Sequence, residues 1–401
     1  MKNIYLIPGF LASDLGILST GQRIWWDTSI NSIVGLGSMR LNPDGKTPAP
    51  PNGKVMGVDT DPQLPWPLVL AGLRFQLDPK EWRVAFGPYD WRIDITQAAT
   101  DLAANIRRQS SAVEPATIVA HSMGGLIATL AWSILLAGHD ENLVRRIITI
   151  GTPFQGSSGM IQWLNGSSVS IKQVLAVGLY PVPLTIRPFV NWSLDWLNAL
   201  FLTWPAAYQL FPSLVGTDAA ADPERSRLYL LGNYPDYAQP SQAWLDYARL
   251  TFQPTIANAN TFPPSWVATY VYGTGYPTAN KLRSTTVPLD LLDLAFTNSG
   301  DGVVTVGSAT RSPGLTVATL SDHSSMPLAI TLSGLLAKLI IDPRGPVDPP
   351  PPPVIDDTKY TKNVTDAPQA DYVSGEVCLD GHCIRSSSNF AGRFVIGDEI
   401  P

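Results

Sequence analysis

Thr117-Ile-Val-Ala-His-Ser-Met-Gly-Gly125 runs a β-branched segment, a lone Ser between a His and a Met, and two glycines together without a gap. The stretch reads as a strand, a sharp turn and a helix. In the pattern G-x-S-x-G, such a turn strains the Ser onto the tip between strand and helix. It exposes the hydroxyl and aims the next backbone N–H at an oxyanion. Ala120 stands where the first Gly is expected, and its methyl is small enough for the helix to pass close to the strand. Gly-rich strand-to-helix turns also occur as plain packing solutions, so Ser122 needs partners elsewhere in the chain before the turn means chemistry.

The flanking residues repeat the strand-and-helix unit. Asn3 to Ile7 predicts a buried strand ending at the turn Pro8-Gly9-Phe10-Leu11. Trp82 to Phe86 predicts a second, followed by Tyr89-Asp-Trp-Arg92 and a helix from about Thr96 to Arg108. Gly124 to Ala137 predicts an apolar, buried helix stopped by Gly138. Arg146 to Ile150 is the next strand, Val267 to Tyr272 resumes the sheet, and Leu294 to Phe296 and Leu315 to Leu320 are further strand-like runs ending in polar turns. Strands separated by helices about thirty residues apart predict an α/β fold, a parallel sheet covered on both faces. Leu328 to Ile341 reads as a closing helix, and Ala12 to about Lys80 as a partly irregular excursion over the active face.

Between Ser157 and Trp266 the pattern changes. Six of the twelve Trp fall here (Trp163, Trp192, Trp196, Trp204, Trp244 and Trp266), among many Pro. We read 157–266 as an inserted cap, with a helix over Asn191 to Leu202 that places Trp192 and Trp196 on one face. Those aromatics serve either as the cap's core or as an acyl-chain or membrane-facing lid. Asp342 to Asp357, with five consecutive prolines at Pro349 to Pro353, is an extended spacer. The domain boundaries are therefore 1–341, 342–357 and a small β module at 358–401. In the module, Asp380-Gly381 suits a two-residue hairpin loop that sets Cys378 opposite Cys383, close enough for a disulfide. A metal site there would have Cys378, His382 and Cys383 with no obvious fourth ligand.

Composition narrows the function. Of 401 residues, 45% are hydrophobic and only 15% charged, against roughly 25% charged in an average domain. Such a surface favours apolar or interfacial substrates. A net charge of −6 with no Lys/Arg cluster argues against a nucleic-acid partner. The start Met1-Lys-Asn-Ile-Tyr-Leu-Ile-Pro-Gly9 breaks any signal-peptide core with a Pro-Gly turn, which reads as cytoplasmic by default. A tail disulfide points instead to an oxidising compartment.

A Ser hydroxyl needs a general base, usually His, held by a third group. The chain has four His. His121 adjoins Ser122 at the strand end, where consecutive side chains point to opposite faces. His139 lies about 25 Å along the helix at 1.5 Å per residue. His382 lies beyond the spacer, which leaves His323, on a loop after a strand. Asp301, on a Gly-flanked turn between Ser122 and His323, is the acid in the expected order Ser, Asp, His. A Gly-Asp-Gly also suits a plain turn or a calcium loop, but no carboxylates stand at the two-residue spacing that calcium needs. The backbone N–H groups of Met123 and, by position, Phe10 are the oxyanion donors. No cofactor or metal is called for.

With these residues in place, the chain resembles the lecithin:cholesterol acyltransferase-like branch of the α/β-hydrolases, which includes lysosomal phospholipase A2. The resemblance spans about 1–340. It rests on Ile7-Pro-Gly-Phe-Leu-Ala-Ser13, Tyr89-Asp-Trp-Arg92, Ala120-His-Ser-Met-Gly-Gly125, Gly151-Thr-Pro-Phe154, Trp204-Pro-Ala-Ala-Tyr-Gln-Leu-Phe-Pro212, Tyr272-Gly-Thr-Gly-Tyr-Pro-Thr278, Gly300-Asp-Gly302 and His323. It implies an acyl-enzyme mechanism on lipid esters, with Ser122 as nucleophile, His323 as base, Asp301 as orienter, and Phe10 and Met123 as oxyanion donors. It also implies a lid and transient membrane contact. No Cys precedes Cys378, so the disulfide of the eukaryotic relatives' membrane segment has no counterpart, and the Pro-linked tail lies outside the family pattern. The leading expectation is a serine ester hydrolase of the lipase, phospholipase or esterase kind. Acyl transfer to an alcohol and a catalytically silent lipid- or partner-binding protein are the alternatives.

Overall fold

The computed structural model describes residues 1–17, 23–25, 39–46, 55–57, 65–164, 200–220, 222–236, 239–258, 262–311 and 314–341, with three tail strands at 372–379, 382–389 and 393–396. Its main sheet has six strands: β1 (Lys2–Ile7), β5 (Trp82–Phe86), β6 (Ala116–His121), β7 (Val144–Ile150), β8 (Ala268–Gly273) and β11 (Leu315–Thr319). They lie in the order β11-β8-β7-β6-β1-β5. Every neighbouring pair is parallel. Strand β6, the run that ends at Ser122, is buried along its whole length. That is the environment of a parallel strand covered on both faces, and it is why the run is apolar and β-branched rather than alternating.

Two helices cover one face, α2 (Ile95–Gln109) and α3 (Met123–Ala137). Asp94 caps α2 by accepting the Thr96 N–H at 2.9 Å. The helix buries Ile95, Ala99, Leu102 and Ile106 on its inner stripe. Helix α3 is buried on most sides, and Gly138 closes it through bonds to Ile134 and Leu135. The other face carries α1 (Trp66–Gln76), α4 (Met326–Leu332) and α5 (Leu335–Ile341). Trp66, Val69 and Leu73 of α1 pack in one apolar cluster with Ile330, Leu336 and Leu339.

Three expectations are corrected here. The segment from Ala12 to Lys80 is not wholly an excursion over the active face: α1 covers the sheet, and the short strands β3 (Arg23–Trp25) and β4 (Val55–Gly57) each pair antiparallel with β2 (Leu15–Ile17) between them. The strand-like run at Leu294 is a strand, β10 (Leu294–Thr297), but it lies outside the main sheet, pairing antiparallel with β9 (Thr278–Leu282) in a separate two-stranded sheet. The closing helix is two helices, broken at Ser333-Gly334, where Gly334 has φ 73°. That left-handed conformation ends a helix and favours glycine.

The expected cap helix over 191–202 lies largely outside the described residues, with Trp192 and Trp196. Its last part is described, and Leu200 and Phe201 are helical. In the tail, Tyr372–Leu379 pairs antiparallel with His382–Asn389, in a register that sets Cys378 opposite Cys383. Their side chains lie outside the described residues. Among the described residues, no helix is long and apolar enough to cross a membrane.

Candidate active site

Ser122 sits between β6 and α3 with φ 54° and ψ −127°, a left-handed backbone that a non-glycine residue adopts only when its surroundings enforce it. The enforcement is visible in the neighbours. The Ser122 N–H is tied to the Ile150 carbonyl at 2.8 Å, extending the β6–β7 ladder through the turn. A Cβ on Gly124 would stand 2.5 Å from the Pro8 carbonyl oxygen, and one on Gly125 would stand 1.9 Å from Thr152 Oγ1. The two glycines therefore let α3 start in contact with the ends of both β1 and β7. Ala120 is fully buried, as its small side chain requires.

Asp301 and His323 lie on the loops that follow β10 and β11. His323 Nε2 lies 2.9 Å from Ser122 Oγ, and His323 Nδ1 lies 2.8 Å from Asp301 Oδ2. The other Asp301 oxygen accepts the N–H groups of Val303 (2.9 Å) and Val304 (2.7 Å), which hold the carboxylate with both oxygens engaged. The Asp301 carbonyl accepts the His323 N–H at 2.9 Å. Gly151, at φ 58°, leaves the room: a Cβ there would stand 3.0 Å from Asp301 Oδ2 and 3.1 Å from His323 Nδ1. Burial by itself would lower the His323 pKa. The charge of Asp301, its hydrogen bond, and the charge of Asp322 outweigh that and raise it.

The turn after β1 lies against the serine. A Cβ on Gly9 would stand 2.9 Å from Ser122 Cβ and 3.4 Å from its Oγ, so the turn backbone at Gly9 lies directly against the serine side chain. Leu11 has φ 64°, a second strained non-glycine residue at the site. The turn is pinned at both ends: Tyr89 Oη donates to the Pro8 carbonyl at 2.7 Å, and Trp25 Nε1 donates to the Leu11 carbonyl at 2.9 Å. The Phe10 ring packs edge-on to Trp91 (5.4 Å) and Trp204 (6.2 Å). Met123 is the first residue of α3, where backbone N–H groups are free of intrahelical partners.

The structure thus brings Ser122, His323 and Asp301 together, with Phe10 next to Gly9 in the turn against the serine and Met123 next to Ser122 at the start of α3. Cys378 and Cys383 belong to the tail hairpin. Two features escaped the sequence. Tyr89 and Arg92 are braces: the buried Arg92 grips Asp90 through two nitrogens (2.9 and 2.6 Å) and the Met39 carbonyl (3.0 Å). His121, set aside as a base, places its Nε2 2.8 Å from the His323 carbonyl. Both are contacts across long sequence separations; the Tyr-Asp-Trp-Arg run and a His directly before the serine were their only local signals.

A parallel six-stranded sheet with helices on both faces, a strained Ser turn after a central strand and a His loop after an edge strand define an α/β-hydrolase. Within that class the chain resembles the lecithin:cholesterol acyltransferase family, whose model matches residues 80–179. No curated protein matches the chain. Among solved structures it is similar to the mature lipase BlEst2 of Bacillus licheniformis, with 14% identity over 84% of this chain and 91% of that one, TM-score 0.39. A chain of the Tle4–Tli4 complex is 12% identical over 78% of this chain and 85% of its own, TM-score 0.37. A pyrethroid hydrolase of Sphingobium faniae is 13% identical over 86% and 98%, TM-score 0.31. The fold stands on the sheet order and the turn geometry, not on these distant likenesses.

Proposed function

We propose that this protein is a serine carboxylic-ester hydrolase that acts through an acyl-enzyme on lipidic or other apolar esters. The observation that carries the proposal is the unbroken chain of hydrogen-bond distances from Ser122 Oγ through both nitrogens of His323 to Asp301. Ser122 Oγ attacks the ester carbonyl carbon while His323 Nε2 takes its proton. Asp301 accepts the Nδ1–H, fixing the tautomer that leaves Nε2 free to act as base. The oxyanion is held by the N–H groups of Met123 and Phe10. His323 returns the proton to the departing alkoxide, and the acyl group stays on Ser122. Water, deprotonated by the same His323, then releases the acid. Because His323 has a raised pKa and must start neutral, kcat/KM falls on the acid side through a value above the ordinary 6.5 of histidine.

The lipidic character of the ester draws on the family likeness and on a chain with only 15% charged residues. In this proposal 1–341 is the catalytic domain, 157–266 its cap, and contact with a lipid surface is transient, serving delivery of substrate. The segment 342–357 is a spacer, and the 358–401 module carries a Cys378–Cys383 disulfide.

Labelling with a fluorophosphonate tests the proposal. Wild type should form a covalent adduct of one probe per chain, and Ser122→Ala should form none. Absence of an adduct on wild type, with detergent or lipid present, overturns it. A chain-length series of p-nitrophenyl esters then ranks acyl groups. The match to an acyltransferase family supports a second reading, in which an alcohol replaces water in the last step. Product analysis with and without added long-chain alcohol separates the two: new ester marks transfer, free acid alone marks hydrolysis.

A further inference from the structure

We infer that His121 is a positioning residue for the base: it holds the backbone of His323 so that the His323 ring meets Ser122. This inference rests on the triad proposed above. His121 Nε2 lies 2.8 Å from the His323 carbonyl oxygen. A carbonyl only accepts, so His121 must carry its proton on Nε2 and donate it. The residue next to it, Ser122, meets His323 Nε2 at 2.9 Å. Two consecutive residues therefore hold two different points of one histidine, its carbonyl and its ring. Asp301 does the same from the other side, taking the backbone N–H with its carbonyl and Nδ1 with its carboxylate. His323 is held at four points, two from each partner segment.

The surroundings of His121 fit a fixed brace. The ring is buried, tilted 44° to the His323 ring at 4.7 Å between centroids, and backed by Trp66 at 6.2 Å. On its other side Nδ1 faces Gly9, where a Cβ would stand 3.2 Å away. His121 thus also touches the turn that carries Phe10. Burial first, and then the neighbouring His323, push its pKa well below the ordinary value, although the bond to the His323 carbonyl opposes them. Held neutral, His121 braces His323 without adding a second positive ring beside the imidazolium that forms during the reaction.

The geometry distinguishes a brace from core filling. In Gln the side-chain nitrogen lies as many bonds from Cα as His Nε2, and in Asn one bond fewer. His121→Gln should therefore keep the bond to the His323 carbonyl and His121→Asn should lose it, with the same chemical groups buried in both. The test compares wild type, His121→Gln, His121→Asn and His121→Leu by fluorophosphonate labelling rate and by kcat and KM on a p-nitrophenyl ester. The Asn and Leu variants should lose about 10–100-fold in labelling rate and kcat, with KM within about twofold, as expected for a sub-ångström loss of alignment. The Gln variant should recover to within about threefold of wild type. Wild-type rates in a folded Asn or Leu variant, or equal losses in Gln and Asn, overturn the role of His121. If Leu fails to fold, the Gln and Asn pair still decides. No labelling of wild type would instead overturn the triad on which the inference rests.

Discussion

The two faces of the sheet are packed in different ways. The α2–α3 face is aromatic: Trp25, Trp91, Trp132, Phe154, Trp204, Tyr208, Phe211 and Tyr229 are buried in one continuous cluster that runs into the 200–257 region. The α1, α4 and α5 face is mostly aliphatic, with Trp66 and Trp82 among Val, Leu, Ile and Ala. Aromatic side chains bring large area and polar handles, and here the handles tie distant segments. Trp91 Nε1 donates to the Ser13 carbonyl at 3.0 Å, and Trp204 Nε1 donates to the Met39 carbonyl at 2.8 Å. On the aliphatic face the long-range ties come from Gln76 and Arg146, which donate to the Thr331 and Leu339 carbonyls at 2.8 Å each, rather than from aromatic side chains. Ser122 opens a helix of the first face and His323 leads into a helix of the second, so the proposed chemistry bridges two layers of unlike construction.

The largest expected effect lies at that bridge. Asp301→Asn should keep the fold and lower kcat by about 10⁴-fold, because the amide selects the wrong His323 tautomer; retention of more than a tenth of the activity would break the assignment of Asp301 as orienter. On the aromatic face, Trp204→Ala should cost about 3–5 kcal/mol in chemical denaturation and change the chain-length profile of ester hydrolysis. On the aliphatic face, Ile330→Ala should cost about 2–5 kcal/mol and leave that profile unchanged. Equal shifts of profile would erase the contrast between the faces. Asp94→Ala should cost about 2 kcal/mol, since the carboxylate caps α2 and also accepts Gln209 Nε2 (2.6 Å) and Tyr247 Oη (2.9 Å) from the 200–257 region.

The smallest effect is a pH slope. The folded-state pKa of His121 is lowered, so stability present above the unfolded value of about 6.5 is lost as pH falls below it. His323 is raised: its contribution is complete below about 6.5 and is lost only as pH rises through the folded value, so it adds no slope in the lower window. Urea denaturation at pH 6.5 and 5.5 should show wild type losing stability and His121→Gln losing less. Parallel losses would mean that His121 is not held neutral.

Sequence carried the part of the site whose signals are local or ordered. Ala120 to Gly125 compress strand, turn and helix into six residues, and Asp301 and His323 stand in the order that the chemistry needs. The missed elements are those whose pattern is blurred by what they face. Helix α1 has a buried stripe of Trp66, Val69 and Leu73, yet Leu68 and Phe75 point outward, 40% and 92% exposed, so no helical period stands out. The run at Leu294 has strand residues, but nothing in four residues tells a hairpin from a sheet strand. The role of His121 depends on a carbonyl 202 residues away, which no local reading reaches.

Arg92 has a consequence for redesign. Its guanidinium holds Asp90 and the Met39 carbonyl, while its own carbonyl accepts the Ala206 N–H at 3.3 Å, a joint of three chain segments under the aromatic cluster. A swap that cuts inside 200–210 would take this joint apart and expose a guanidinium seated at 1% exposure. Crossover points for a chimera that changes acyl preference belong outside 200–210 and outside the segments of Met39 and Asp90 to Arg92, so that the donor sequence enters a scaffold whose rivets are left in place.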